Sequence, residues 1–349
     1  MTTRTNRYLQ LNERVPVLDR LFDGTSDLKA DFRVSRQSLF SLIQILRRPS
    51  DQGWRLEIQV SVFVYWLASA TSYRLVANTF HIPRATVHRI VHRIAKAILG
   101  LLDVIVTFPR PEDLPVIGQG FAALTGSPVF QNAVGSIDGC QVRIKTPSED
   151  VVCYLNRKLF HSINLQAMCD HKMRFLDIFV GYPGSVHDSR VLKNSPFFTQ
   201  QKYPPQGYYI LADGGYPCLS QPVTIITPYR EPVNDPAKRR FNRVFSRGRC
   251  IIERAFGVMK SRWRSIFFKA LEVHHTFAPK VIACCCVLHN ICIDNRDTVE
   301  IEETPDSNDD GGTVDEPEGH WSGENLRGRL VAELSGHHNE HNYCACKCE

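Results

Sequence analysis

The chain has 349 residues, is 43% hydrophobic and carries a formal net charge of +6, so it has apolar material for one large domain with a small companion, or for two to three modest domains. The charge is uneven: residues 296–349 hold 14 Asp/Glu against 4 Lys/Arg, a net of −10, which leaves residues 1–295 with 38 Lys/Arg against 22 Asp/Glu, a net of +16. A polar opening (Met1-Thr2-Thr3-Arg4) and the lack of any run of ~18 apolar residues argue against a secretory signal and a membrane span, while a basic body with an acidic tail suits a polyanionic partner or, more plainly, a protein with a solvated tail.

Residues 1–107 read as helical. Apolar positions recur at helical spacing over 32–48, with Ser35 or Ser38 as N-cap, then over 58–70, 73–80 and 84–102. Residues 73–94 have helix-turn-helix spacing. Ala77 is small enough for close packing, Val87 and Ile90 fall on the inner side of the second helix, and His81 stands where the turn often prefers Gly. Arg84, Thr86, His88, Arg89, His92 and Arg93 are expected on its outer face, with Arg84, Thr86, Arg89 and Arg93 as the DNA-contacting candidates. The competing reading is a basic amphipathic helix packed on the rest of the protein.

A Pro-rich link at 108–115 marks a boundary. Beyond it, strands are expected at 134–138 and 141–144 around an Asp138-Gly139 corner, at 162–170, and at 173–180 after a His171-Lys172 turn. A short helix follows at 187–194, strands at 208–212 and 223–227, a long helical stretch over 238–267 and an apolar helix over 278–293. This order gives a mixed α/β (α+β) class with a mixed sheet flanked by helices. The chain thus divides into a helical region (1–107), a catalytic domain (108–295) and an acidic tail (296–349) that reads as disordered, with a short helix allowed at 324–334.

Three acids stand out by context. Asp138 ends the apolar run Gly135-Ser136-Ile137-Asp138-Gly139, and Asp213 ends Tyr209-Ile210-Leu211-Ala212-Asp213-Gly214-Gly215-Tyr216. Glu253 lies on the expected basic helix among Arg247, Arg249, Arg254, Lys260, Arg262 and Arg264, which could hold phosphates. Two carboxylates at strand ends and one on a helix are what a ribonuclease-H-like core uses to hold metal against a phosphodiester. Two hard cations about 3.5–4 Å apart supply both a strong nucleophile and a stabilised leaving oxygen, and Mg²⁺ takes oxygen ligands while keeping several waters. Asp188, in Gly184-Ser185-Val186-His187-Asp188, is a fourth candidate. The glycines after Asp138 and Asp213 are expected to turn the backbone and expose each carboxylate. Each acid also has an ordinary reading: Asp-Gly is commonly just a turn, Glu253 suits a surface ion pair, and His187-Asp188-Ser189 suits a helix N-cap.

Four blocks resemble PIF/Harbinger-type DDE transposases and the vertebrate nucleases derived from them: Gly135-Ser136-Ile137-Asp138-Gly139, Gly181-Tyr182-Pro183-Gly184-Ser185-Val186-His187-Asp188-Ser189, Leu211-Ala212-Asp213-Gly214-Gly215-Tyr216, and Ile252-Glu253-Arg254-Ala255-Phe256-Gly257. Cys286-Val287-Leu288-His289-Asn290 is similar to the family's closing helix. The resemblance covers about residues 30–295. It implies a ribonuclease-H-like fold, DNA cleavage dependent on one or two divalent cations (Mg²⁺ or Mn²⁺), Asp138, Asp213 and Glu253 as catalytic acids, and Asp188 as an additional metal ligand. It also implies a nuclear location with a cytoplasmic pool, a separate Myb-like DNA-binding partner and room for a homo-oligomer. Cys140-Gln141 departs from the family's small residue or Thr followed by His, which puts a contact behind the carboxylates in doubt.

Smaller signals are weaker. Trp263 between Arg262 and Arg264 could stack on nucleic acid, though packing is the commoner role. Cys284-Cys285-Cys286 point about 100° apart on a helix, so they suit a core better than one zinc. His337, His338, His341, Cys344, Cys346 and Cys348 are ligand-rich but lack zinc-finger spacing. The expected function is a metal-dependent DNA endonuclease. The alternative is a catalytically inactive domesticated transposase that acts as a DNA-binding or adaptor protein.

Overall fold

The computed structural model describes residues 15–47, 54–148, 150–267, 270–300 and 322–345. The chain falls into two compact units. One comprises Met1–Val106, Val142–Val151 and Val258–Ile301, and the other Thr107–Gln141, Val152–Gly257 and Glu302–Glu349.

The first unit is mainly helical. Ser35 caps the helix Arg36–Leu46 by accepting the Ser38 N–H; Ser38 itself is buried inside the helix. The helix Leu56–Ser69 is apolar on nearly every side and forms the middle of this unit, packing on the helix Arg84–Leu99. The helix Ala278–Asp294 also packs on Arg84–Leu99, with Cys284, Cys285 and Cys286 fully buried. Their role is packing: Cys284 Sγ meets the Ala95 carbonyl at 3.5 Å and Cys286 Sγ the Met259 sulfur at 3.8 Å. Trp263 is also fully buried, so it offers no stacking face to nucleic acid. Arg262, expected beside phosphates, is instead interior. Its guanidinium donates to the Arg33 carbonyl at 2.6 Å and to the Asp297 carbonyl, and pairs with the Asp297 carboxylate at 3.4 Å.

The second unit is built on a five-stranded sheet of order β3-β2-β1-β4-β5, with β1 Ala133–Arg143, β2 Ser162–Cys169, β3 Phe175–Pro183, β4 Tyr209–Ala212 and β5 Ile225–Ile226. β2 and β3 form the expected antiparallel hairpin. Asp170 Oδ1 closes its turn by accepting the N–H groups of Lys172 and Arg174 at 2.8 and 3.0 Å. β1 is parallel to β4, and β4 to β5. Gln141 lies against Ser162 and Gly135 against Met168, so β1 and β2 run antiparallel and the sheet is mixed. One expectation is corrected here. Residues 133–143 form a single strand without a corner at Asp138-Gly139, because the neighbouring strand β2 continues alongside after β4 has ended at Ala212.

The helices Leu114–Thr125 and Pro236–Arg249 pack together in this unit. The stretch expected to be disordered contains the helix Glu324–Ala345. Leu330 and Leu334 are buried, the Arg327 guanidinium sits 4.1 Å over the Tyr229 ring and it donates to the Pro228 carbonyl at 3.1 Å. Two leucines one turn apart and one stacked arginine suffice to order a segment whose composition is otherwise polar. Residues 301–321 and the side chains of the His/Cys-rich end lie outside the described residues.

The buried Arg262–Asp297 pair gives a stability test. Arg262→Met leaves the buried Asp297 with only Lys29 at 3.2 Å and the Ser35 N–H and is expected to cost at most about 3–5 kcal/mol in guanidinium denaturation. Arg262→Met combined with Asp297→Leu is expected to recover most of that loss, because the interior then holds no lone charge.

Candidate active site

Ile137 of β1 stands opposite Ala212 of β4. The next residues are Asp138 and Asp213, which become neighbours across parallel strands about 4.8 Å apart. This is the carboxyl end of β4, the edge where open α/β sheets bind ligands. Gly215 donates its N–H to Asp213 Oδ1 at 3.0 Å, and the Gly139 N–H reaches Asp138 Oδ1 at 2.7 Å.

Alternation along β1 puts Asp138 on the same face as Ser136. Ser136 Oγ donates to the Arg249 carbonyl at 2.8 Å, which ties β1 to the end of the helix Pro236–Arg249. The Arg249 guanidinium lies 3.7 Å from Asp138 Oδ2 and 2.5 Å from Glu253 Oε1. Arg249, read from the sequence as a phosphate hand, therefore spans two of the expected catalytic acids. Glu253 reaches this place from the following helix, Ile251–Arg262.

Gly139 leaves room for a fourth acid. A Cβ there would lie 2.4 Å from Asp188 Oδ1, so the glycine serves a close approach of the carboxylate and not a turn. Asp188 begins the helix Asp188–Asn194, with His187 in the N-cap position. Its Oδ1 accepts from Asn164 Nδ2 of β2 at 2.9 Å. Behind it, Asn156 Nδ2 donates to Ser162 Oγ at 2.9 Å, and Ser162 Oγ donates to Gln141 Oε1 at 2.8 Å. Gln141, the residue that departs from the family pattern, thus belongs to a polar chain, and Cys140 is simply buried.

The electrostatics follow from this crowding. Burial first, and then the Asp213 charge, push the Asp138 carboxyl well above its ordinary range; Arg249 opposes this and Asp188 adds to it. Tyr216 was given no role from the sequence, although it stands three residues after Asp213. It is buried, and its hydroxyl has no hydrogen-bond partner. Burial and then the charges of Asp188, Asp138 and Asp213 raise its phenol above the usual value. Among the described residues, no three His, Cys, Asp or Glu side chains form a ready cage for a metal. The donors present fit one nonetheless. They are all oxygen, the carboxylates repel one another, and the Tyr216 hydroxyl is unsatisfied, which are conditions a hard cation relieves.

The helix-turn-helix candidates lie in the first unit. Ser72 caps the helix Tyr73–Phe80, and His81 ends it in the left-handed region with φ 52°, the conformation that makes Gly common there. Arg84 and Arg89 are exposed on the helix Arg84–Leu99, Thr86 is half-buried, and Arg89 Nη2 donates to Thr86 Oγ1 at 3.3 Å. Arg93 is exposed but donates to buried Gln59. His92 does not belong to the outer face, because its ring stacks on Phe277 at 4.0 Å. Arg74, Arg84, His88 and Arg89 instead line a hollow of about 560 Å³.

Residues 137–290 match the family described as DDE superfamily endonuclease. Over this segment the chain resembles DDE-superfamily endonucleases. It is similar to "Protein ALP1-like" of Arabidopsis thaliana, at 28% identity over 308 residues, covering 80% of this chain and 74% of that one. It is 26% identical to "Putative nuclease HARBI1" of Rattus norvegicus over 313 residues, 84% of this chain and 88% of that one, and 26% identical to its Homo sapiens counterpart over 291 residues, 80% and 81%. No solved structure matches. Asp138, Asp188, Asp213 and Glu253 all fall inside the matched family segment, whereas the Arg84–Leu99 helix lies outside it.

The crowded acids predict a stability cost. A carboxyl whose folded pKa is raised stabilises the fold only below its unfolded value and opposes it as pH rises through the folded pKa. Asp138→Asn is therefore expected to raise Tm at pH 7, with the gain shrinking toward zero as pH falls to about 4. Thermal melts across this range test it; a lower Tm at neutral pH would show that the Arg249 contact outweighs the repulsion.

Proposed function

We propose that the chain is a divalent-metal-dependent DNA endonuclease, with Asp138, Asp213 and Glu253 as its catalytic acids and Asp188 as an additional metal ligand. The observation that carries this reading is the parallel register of β1 and β4, which sets Asp138 beside Asp213 at a sheet edge, with Glu253 tied to Asp138 through Arg249. A bound pair of Mg²⁺ or Mn²⁺ ions polarises phosphoryl oxygens and acidifies an attacking water or 3′-hydroxyl. Asp138, Asp213 and Glu253 would hold the cations, with Asp188 as a further ligand. Asn164 fixes the orientation of Asp188, and the close fit of Gly139 keeps that carboxylate against the strand.

DNA reaches the protein as a polyanion, and the first unit supplies the contacts. Arg84 and Arg89 meet phosphates or base edges from the exposed side of their helix, with Thr86 and Arg93 beside them. A Myb-like partner supplies further sequence reading in the nucleus.

Two measurements test the reading. Supercoiled-plasmid nicking with Mg²⁺ or Mn²⁺ is expected for the wild type and lost in Asp213→Asn, with DNA binding retained. No nicking by either protein, with binding intact, identifies an inactive DNA-binding adaptor instead. Arg84→Ala and Arg89→Ala are each expected to weaken DNA binding and to reduce the salt dependence by about one counterion per contact removed. Unchanged salt slopes would remove this helix from the DNA interface.

A further inference from the structure

We infer that Arg249 is a built-in stand-in for the metal, a cationic side chain that offsets part of the site's negative charge until a divalent ion displaces it. This inference rests on the metal reading above and adds a regulatory contact to it. The guanidinium lies 3.7 Å from Asp138 Oδ2 and 2.5 Å from Glu253 Oε1, so one charge bridges an acid on β1 and an acid on a helix. Its side chain is 17% exposed and that of Glu253 is 46% exposed, which puts the cation deeper than the more open of its two acids.

The arrangement suits displacement. Arg249 is the last residue of the helix Pro236–Arg249 and Ile251 opens the next, so Cys250 joins two helices at this point. Ser136 Oγ holds the Arg249 backbone through its carbonyl, and only the side chain needs to swing. An arginine cannot leave by losing its proton. The guanidinium can vacate only by rotating away, and a divalent ion supplies more charge to the same two carboxylates. A merely structural ion pair behaves in the opposite way: breaking it splays the acids apart and weakens metal binding.

The test uses the full chain, freed of metal and titrated with Mn²⁺, with free Mn²⁺ read by electron paramagnetic resonance. Arg249→Met keeps the side-chain bulk and removes the charge. Because the ion no longer has to break a charge-assisted hydrogen bond, the variant is expected to bind Mn²⁺ at least about tenfold more tightly than the wild type. Arg249→Lys, which loses the two-pronged fork, is expected to fall between them and serves where the methionine variant does not fold. Adding Asp213→Asn is expected to weaken binding in either background. Equal or weaker Mn²⁺ binding by a folded Arg249 variant, with the wild type binding normally, overturns the stand-in and leaves the metal site intact. No Mn²⁺ binding by any protein overturns the metal site and the stand-in together.

Discussion

Two like charges forced to be neighbours organise the second unit. The register of β1 against β4 leaves Asp138 and Asp213 side by side, both half-buried, at the carboxyl end of β4. Nothing in the strand pairing itself relieves their repulsion. The surrounding contacts read as responses to it: a guanidinium from a helix end, backbone N–H groups from Gly139 and Gly215, and a glycine that lets a third carboxylate come close. A fold tolerates such crowding when a site needs negative charge more than it needs stability.

The polar residues of β2 fit the same logic. Ser162, Asn164 and Gln166 alternate along a strand that is buried throughout. A buried strand of this kind is ordinarily apolar. Here Ser162 and Asn164 support Gln141 and Asp188. Their cost is accepted because a misplaced carboxylate would be worse. Burying Asn164 beside Asp188 gives a defined direction to a charge that would otherwise rotate freely.

The first unit shows a different economy. Its middle is a helix buried on nearly every side, surrounded by helices that contribute one apolar face each. Cysteines, a tryptophan and an arginine that look chemically interesting in isolation are spent on packing or on one interior ion pair. What remains exposed on the Arg84–Leu99 helix is basic, and that is where its contact with DNA is proposed.

Much was legible from the residues alone because helical and strand periodicities are local properties. The cap at Ser35, the helices 56–69 and 84–99, the β2–β3 hairpin and the apolar helix 278–294 follow from spacing, and the blocks around Asp138, Asp188, Asp213 and Glu253 carry the resemblance to DDE endonucleases. Other features depended on partners distant in the chain. Gly139 suits a turn by sequence, yet it lies within β1 beside β2, and Asp188 takes the space its missing side chain leaves. Arg249 and Arg262 looked alike on one basic helix, but one bridges two acids and the other is interior, because their surroundings come from separate parts of the chain. Tyr216 drew no notice, since an unsatisfied hydroxyl is visible only once the acids that face it have been brought together. Residue order sets which elements form and which acids are candidates. Which charges meet follows from the folded arrangement, because electrostatic energy depends on distance and burial, and neither is written in the order of the residues.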